Sequence, residues 1–588
     1  MIEAVHRLNQ CPPTIFLQPM RDLQALQRRD YDLIVIGGGI NGAATARDAA
    51  LRGLSVLLIE KGDFASGTTS WSTRLIHGGL RYLEYFEFHL VRGSLREREI
   101  LLRTAPHLAK PIQMTIPIYK QGSRSYWEIQ AGMILYDLLS YDKSLPNHRM
   151  LSARKLRQLF RSLDAEQSCG AAQYYDGQAA YAERLCLEIV LDAQVAGADV
   201  LNYATVTALG RVGDRITALT AHDQIADESF TVTLSETAVV VNTSGPWVDQ
   251  VLGLEQGQGA EAVLGRDRKI GGTKGSHIIV DPFPGAPSAA LYIEAKSDGR
   301  PYFITPWLGQ YLIGTTDLKY DGPLDPLKAS NDEVDYLLRE TNQVIPTARL
   351  TRADVRFTYS GIRPLPYVGE GKKAGSISRD HILYDHGKDG VVNLVSLIGG
   401  KLTTHRQVGE EMTNWAFQKW GKTAPPSPTR DRALPGCIWP DDPRRAEAAA
   451  HYRTLVPASV LEHLFQMYGA RALEVLALVE DAPDLATPIV PGLPDIQAQA
   501  VYAIQAEMAH TLLDITRRRT TLAMQANYGH DALPSIVAAL QTHCGWTTAQ
   551  SEIQIAQHQA FMEANCIPDY ALDTPAVPSQ AVGVVASG

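Results

Sequence analysis

The chain of 588 residues carries 64 acidic and 55 basic side chains, a formal net charge of -9, and is too long for one core, so two or three domains are expected. The acidic balance and a pI near 6.0 argue against a nucleic-acid partner. Six cysteines without a CxxC pair suit a reducing compartment better than a disulfide framework or a thiolate metal site, and no run of about 18 apolar residues occurs, which leaves only peripheral contact with a membrane.

The first 29 residues lack the charged start and apolar core of a signal peptide. Ile15, Leu23 and Leu26 with Arg21, Arg28 and Arg29 pattern either a short amphipathic helix or a solvated leader. The run Leu33-Ile34-Val35-Ile36 then predicts a buried parallel strand that enters Gly37-Gly38-Gly39-Ile40-Asn41-Gly42. Gly37, Gly39 and Gly42 form GxGxxG: the first allows the tight turn, the second close approach of a pyrophosphate, the third close packing of helix on strand. Ala43, Ala44, Ala46, Ala49 and Ala50 supply the helix, Gly53 ends it, and a second strand, Ser55 to Ile59, finishes at Glu60, placed to accept a ribose hydroxyl. This unit predicts an adenine dinucleotide without separating FAD from NAD.

The next loop separates them. Thr68, Thr69, Ser70, Ser72 and Thr73 put five hydroxyls into six residues, able to bond a pyrophosphate and a ribityl chain. His77, Gly78 and Gly79 follow, glycines that let a flat ring approach the backbone, and then Arg81 and Tyr82 set a cation beside a phenol.

Further strand patterns with glycine ends occur at Ala238 to Asn242, before Thr243-Ser244-Gly245-Pro246-Trp247, and at Val391 to Ile398, before Gly399-Gly400. Between them, Gly275 to Val280 and Tyr311 to Thr316 alternate like an antiparallel sheet. The expected fold class is α/β: a Rossmann-like FAD-binding domain with an inserted antiparallel-sheet substrate domain, followed by a C-terminal α-helical domain. The boundaries read as an N-terminal extension over 1–29, a discontinuous FAD-binding domain over 30–110, 176–255 and 351–420, a substrate-binding domain over 111–175 and 256–350, a helical domain over 430–565 after a proline-rich break, and a disordered tail over 573–588. Gly399 to Thr404 reads as opening a helix whose N–H groups face the flavin. Arg517, Arg518 and Arg519 read as either a lipid-facing cluster or a solvated, carbonyl-capping one.

GGGINGA, the hydroxyl loop and LIHGGLRYL resemble the FAD-dependent glycerol-3-phosphate dehydrogenase family of the D-amino-acid oxidase-like flavoproteins. TSGPW at 243–247, KGSHIIV at 274–280, IGTTD at 313–317, YSGIRPL at 359–365 and GGKLTTHR at 399–406 follow in family order. The resemblance implies FAD held by Gly37, Gly39, Gly42, Glu60, Thr68, Thr69, Ser70, His77, Gly78, Gly79, Gly245, Gly400, Lys401, Leu402 and Thr403. It implies sn-glycerol 3-phosphate as substrate, met by Arg81, Tyr82, Arg363 and Lys401, two arginine forks and a point charge suited to phosphate. It also implies electrons passed to a membrane quinone by an enzyme held peripherally on the inner, cytoplasmic face of the cell membrane, with a homodimer as a candidate assembly.

Oxidising a secondary alcohol by hydride transfer to flavin N5 needs a base, and His277, neutral near its ordinary pKa of about 6.5, is the candidate, with Arg363 as its catalytic companion. His77 is read as shaping the glycine loop. One departure stands out: Tyr175-Asp176 is followed by Tyr181-Ala182-Glu183-Arg184, one residue longer than the family spacing, with Glu183 and Arg184 expected to pair with each other. Rival readings are an oxidase reducing oxygen to peroxide, an amine or amino-acid oxidase, and a catalytically silent flavoprotein.

Overall fold

The computed structural model describes residues 21–120, 122, 124–163, 168–257, 263–369, 379–525 and 527–572; Ile15 and the tail lie outside them. Its centre is a six-stranded sheet in the order Ile382–Asp385, Leu394–Ile398, Val239–Asn242, Leu33–Ile36, Val56–Ile59, Asp199–Leu201. All neighbours are parallel except the first pair. Both faces are covered, which is why the strands read as unbroken apolar runs. Alternate residues divide between two cores: Leu33, Val35, Val56 and Leu58 join the helical side, and Ile34, Ile36, Leu57 and Ile59 the other.

On the helical side Ile40–Leu51 lies between Ala182–Val195 and His405–Lys419. The crossing is close: a Cβ on Gly409 would stand 2.5 Å from the Ala44 carbonyl oxygen, and one on Gly42 1.9 Å from that of Gly37. The opposite side is covered by a small sheet of Glu228–Thr233, Arg215–Asp223, Ala204–Val212 and Glu255–Gly257. Helix Leu23–Arg28 is capped by Asp22, whose carboxylate accepts the Ala25 N–H at 2.9 Å, and Leu23 is buried. It packs on the edge strand Glu228–Thr233, so this stretch of the N-terminal segment is helical and docked, not a solvated leader.

A ten-stranded, largely antiparallel sheet carries Ala109–Tyr119, Ser168–Ala179, Thr273–Val280, Ala290–Glu294, Pro301–Trp307 and Gln310–Gly314. Val355–Arg363, grouped from the sequence with the nucleotide strands, pairs instead with Thr273–Val280, setting Arg363 opposite Thr273 and Tyr359 opposite His277. Both strands are largely buried, and their partner choice depends on register 75 to 90 residues away in the chain.

Helices from Pro443–Tyr452 to Thr548–Asn565 form the C-terminal part. Leu464, Phe465 and Val475 share the core of Val35 and Leu58. The helical part is thus joined to the nucleotide-binding part by a continuous apolar core.

Candidate active site

The turn Gly37 to Gly42 opens where the fold needs it. Gly37 sits at φ +105°, where a Cβ would also collide with Ser244, while a Cβ on Gly39 would meet only the Thr69 hydroxyl, at 3.4 Å. Glu60 ends its strand with one carboxylate oxygen accepting the Gly38 N–H at 2.6 Å and the other that of Gly62 at 2.9 Å. Burial outweighs these bonds and raises its pKa.

A cavity of about 800 Å³ runs from this turn to the ten-stranded sheet. Gly37, Gly39, Glu60, Thr68, Thr69, His77, Gly79, Arg81, Tyr82, Gly245, His277, Arg363 and the run Gly400 to Thr403 all line it. Gly42, Ser70 and Gly78 do not. Gly42 packs helix on strand; Ser70 donates its hydroxyl to the Ala65 carbonyl at 2.7 Å; and a Cβ on Gly78 would meet the Tyr136 hydroxyl at 2.5 Å.

The hydroxyl loop differs from expectation in the same way. Thr69 accepts the Ile40 N–H at 3.1 Å, Thr68 donates to the Ile362 carbonyl at 2.8 Å, Ser72 accepts the Arg74 N–H at 3.2 Å and Thr73 bonds the His277 ring at 2.9 Å. These hydroxyls brace the loop and tie it to both sheets. Gly399 and Gly400 take φ +85° and +94°, and the helix starts only at His405. Lys401 to Thr404 therefore form a turn at the cavity, and the helix that this segment opens begins at His405, with Thr404 as its N-cap. Positive φ at both glycines bends the chain before it winds.

Arg363 is held from three sides. It donates to Asp317 at 3.0 Å, to the Thr315 hydroxyl at 3.0 Å and to the Thr316 carbonyl at 3.2 Å. Burial pulls its pKa down to about 10. Arg379 reaches the other oxygen of Asp317 at 3.1 Å. Burial alone would raise the Asp317 carboxyl, but these arginines hold it below the usual range. The guanidinium of Arg363 lies over Gly275, where a Cβ would stand 2.4 Å from it. Any side chain at 275 would displace the arginine. His277, two residues on and on the same face of the strand, lies roughly 7 Å along it. Gly314 makes room there, since a Cβ on it would come within 2.3 Å of the imidazole.

The His277 ring stacks on Tyr359 at 4.7 Å, with Nε2 against Thr73 and Nδ1 without a hydrogen-bond partner among the described residues. Burial, and then Arg363 and Arg74, hold its pKa well below the ordinary value, so it is neutral. His77 is pushed down to about 4 by burial and Lys401, and its backbone N–H donates to the Thr403 hydroxyl at 3.2 Å. Lys401 lies 4.1 Å above the Tyr82 ring. Burial lowers its pKa to about 7, and its ammonium has no hydrogen-bond partner among the described residues. With the buried Asn41 Oδ1, likewise unpaired at the glycine turn, it is what a cavity built to hold a polar ligand leaves open.

Asp317, Arg379, Gly275 and Trp71 went unremarked in the sequence. IGTTD and KGSHIIV contain two of them, but only the strand pairing puts them against Arg363. Glu183 and Arg184 do not pair with each other. Glu183 takes Arg74 in two bonds of 2.6 Å, and Arg184 takes Glu507 at 2.7 Å. Successive positions on a helix point about 100° apart, so the two side chains meet different neighbours. Arg517, Arg518 and Arg519 are 1%, 6% and 1% exposed; the lipid-facing and solvated readings fail because the three neutralise buried carboxylates, while carbonyl capping holds for Arg519, which donates to the Glu507 carbonyl at a helix end.

The FAD-dependent oxidoreductase family matches residues 32–415, and the C-terminal domain of alpha-glycerophosphate oxidase matches residues 427–551. The chain is 62% identical to a glycerol-3-phosphate dehydrogenase of Synechocystis, over 94% of its own length and 100% of the relative's. It is 32% identical to the human mitochondrial glycerol-3-phosphate dehydrogenase, over 92% of this chain and 75% of that one. Among solved structures, glycerol-3-phosphate dehydrogenase from Bacillus halodurans complexed with FAD superposes with a TM-score of 0.73 at 27% identity, covering 92% of this chain and 96% of that one.

Proposed function

Because the chain belongs to the FAD-dependent glycerol-3-phosphate dehydrogenase family, with FAD as its cofactor, we propose that it oxidises sn-glycerol 3-phosphate to dihydroxyacetone phosphate and delivers the electrons to a membrane quinone. The observation that carries this reading is the cationic end of the cavity, where Arg363 and Arg379 share Asp317 beside Arg81 and Lys401. Three guanidinium groups and a lysine gathered at this end, two of them sharing Asp317, favour a doubly charged phosphate over the lone carboxylate of an amino acid.

FAD bound in this cavity supplies the acceptor for the electron pair that leaves the substrate carbon as hydride. The residues divide the remaining work. Gly37, Gly39, Glu60 and the turn from Gly400 to Thr403 hold the cofactor, and Arg363, Arg81, Lys401 and Tyr82 hold the phosphate. His277 and Thr73 receive the hydroxyl proton at the Nε2–Oγ1 pair, a transfer that the neutral imidazole permits. His277→Gln is expected to lower kcat by about 100-fold or more while KM changes little; unchanged kcat removes it from the mechanism.

Glycerol 3-phosphate added without oxygen is expected to bleach the visible flavin band of the holoenzyme, and a quinone analogue to restore it faster than air does. Absence of bleaching overturns the reading, and faster recovery in air makes the enzyme an oxidase.

Membrane delivery is supported by one face of the molecule. Among the described residues no helix is long and apolar enough to cross a membrane. Helix Tyr126–Leu139 nevertheless shows Trp127, Ile134 and Leu138 to solvent, with Tyr141 beyond its end. Phe86, 77% exposed, follows the turn Leu80–Tyr85 that brings Arg81 and Tyr82 to the cavity. A stripe of aromatic and aliphatic side chains on one helix is what an interfacial contact uses. Trp127→Ser with Ile134→Ser is expected to abolish co-sedimentation with lipid vesicles and to leave turnover with a soluble acceptor intact; equal co-sedimentation of variant and parent rejects this face.

A further inference from the structure

The turn Asp514–Arg519 is a π-helical segment of the C-terminal part, with all six residues buried. Its three arginines reach one loop, between strands Val56–Ile59 and Leu75–Ile76, at two places beside the cofactor cavity. Arg517 donates to the Ser70 carbonyl at 3.0 Å and to Glu183 at 2.5 Å, and its guanidinium lies 4.6 Å above the Trp71 ring. Glu183 in turn grips Arg74, which also donates to the Ala180 carbonyl at 3.0 Å. The hydroxyl loop is therefore fastened at Ser70, Trp71 and Arg74, and Trp71 and Arg74 line the cavity.

Arg518 and Arg519 take the start of the same loop. Both bond Asp63, Arg518 through Nε at 2.5 Å and Arg519 through Nη2 at 3.0 Å. Asp63 stands three residues beyond Glu60, whose carboxylate holds the Gly62 N–H of the same turn. Asn202 adds a bond to Asp63 at 3.2 Å, and Asp514 receives both Arg518 and the Tyr203 hydroxyl. Burial would raise the Asp63 carboxyl, and the two arginines hold it well below its usual range. Leu513, Arg518, Phe561 and Asn565 of the C-terminal part themselves line the cavity.

One loop, residues 60–74, is thus held at two places by a turn from more than 440 residues away in the chain. We propose that this arginine turn is a clamp that sets FAD retention: Arg517 is a positioning residue for the hydroxyl loop, and Arg518 and Arg519 are positioning residues for the Glu60–Asp63 turn. The C-terminal helices then serve the cofactor site directly, by lowering the probability that this loop opens to release FAD. The inference rests on the cofactor and is independent of the substrate.

The test compares holoenzyme variants by the rate at which flavin fluorescence appears after dilution and by the visible circular dichroism of the bound flavin. Arg517→Gln is expected to release FAD about tenfold faster or more, and Arg517→Lys to fall between it and the parent, since lysine can keep Glu183 but not the carbonyl as well. The control is Arg471→Gln, which removes a buried arginine's bonds to Glu507 and Tyr502 while Glu507 keeps Arg184 and its carbonyl keeps Arg519. It is expected to lower thermal stability with FAD release unchanged. Parent-like release from Arg517→Gln overturns the proposal, as does equal acceleration by Arg471→Gln, which would make FAD loss a general consequence of instability. If Arg517→Gln does not accumulate as folded protein, Arg517→Lys against Arg471→Gln decides in the same terms.

Discussion

Arg363→Gln is expected to lower kcat/KM for glycerol 3-phosphate by roughly 30- to 5,000-fold, mostly through KM, while the holoenzyme keeps its flavin spectrum. Removing one member of a buried, hydrogen-bonded charge contact costs about 2–5 kcal/mol, which sets that range. The local bonds make Arg363 the more sensitive of the cations. Its fork is fixed by Asp317, Thr315 and Thr316 before any ligand arrives, so no ordering cost is left to offset its loss. Once it is gone, Asp317 retains Arg379 but faces the phosphate with half its compensation removed. Steady-state kinetics with glycerol 3-phosphate and a soluble acceptor measure the effect, and an unchanged KM would move the phosphate away from this end of the cavity. Asp317→Asn is the milder companion: it frees both guanidinium groups without removing a positive charge.

The second large effect is on stability. Asp63→Asn leaves Arg518 and Arg519 buried beside a neutral amide, and losing one partner of a buried ion pair costs about 3–5 kcal/mol. A lower urea midpoint of the holoenzyme measures it, with a surface pair such as Arg103 and Asp431 as control. A shift no larger than the control's would mean that solvent reaches the arginines. Acid should act on the same contacts. Asp63 and Glu183 both have folded-state pKa values below their unfolded ones, Glu183 at about 2. Their stabilisation is complete above the unfolded carboxylate values near 4 and is lost as pH falls from about 4 toward 2. Unfolding in that window, with little change from pH 5 to 8, is the expected profile for these two groups.

Much of the site was legible because its signals are local. The Gly37 turn, its helix and Glu60 lie within 24 residues, and the Gly38 to Glu60 bond joins ends that any chain with this pattern brings together. Arg81, His277, Arg363 and Lys401 sit in short motifs whose residue types match a phosphate and a proton acceptor, and all four reach one cavity. The hydroxyl loop shows where local reading stops. Five hydroxyls looked like ligands for a pyrophosphate, yet Thr69 accepts from Ile40, Ser70 donates to Ala65 and Thr73 bonds His277. A hydroxyl bonds whatever stands nearest, and that is decided by how the loop folds back.

The sequence by itself determined the dinucleotide unit, the flavin family and the cations that line one end of the cavity, because each depends on residues close together along the chain or on side-chain chemistry that survives any packing. The tertiary structure alone decided that Arg517 to Arg519 face the cofactor loop, that Glu183 and Arg184 part company, and that Val355–Arg363 leaves the nucleotide sheet to set Arg363 over Gly275. The physical reason is burial. A charge in the interior takes its identity from the opposite charge that compensates it, and Arg74, Arg184, Arg517 and Arg519 meet carboxylates 109 to 456 residues away.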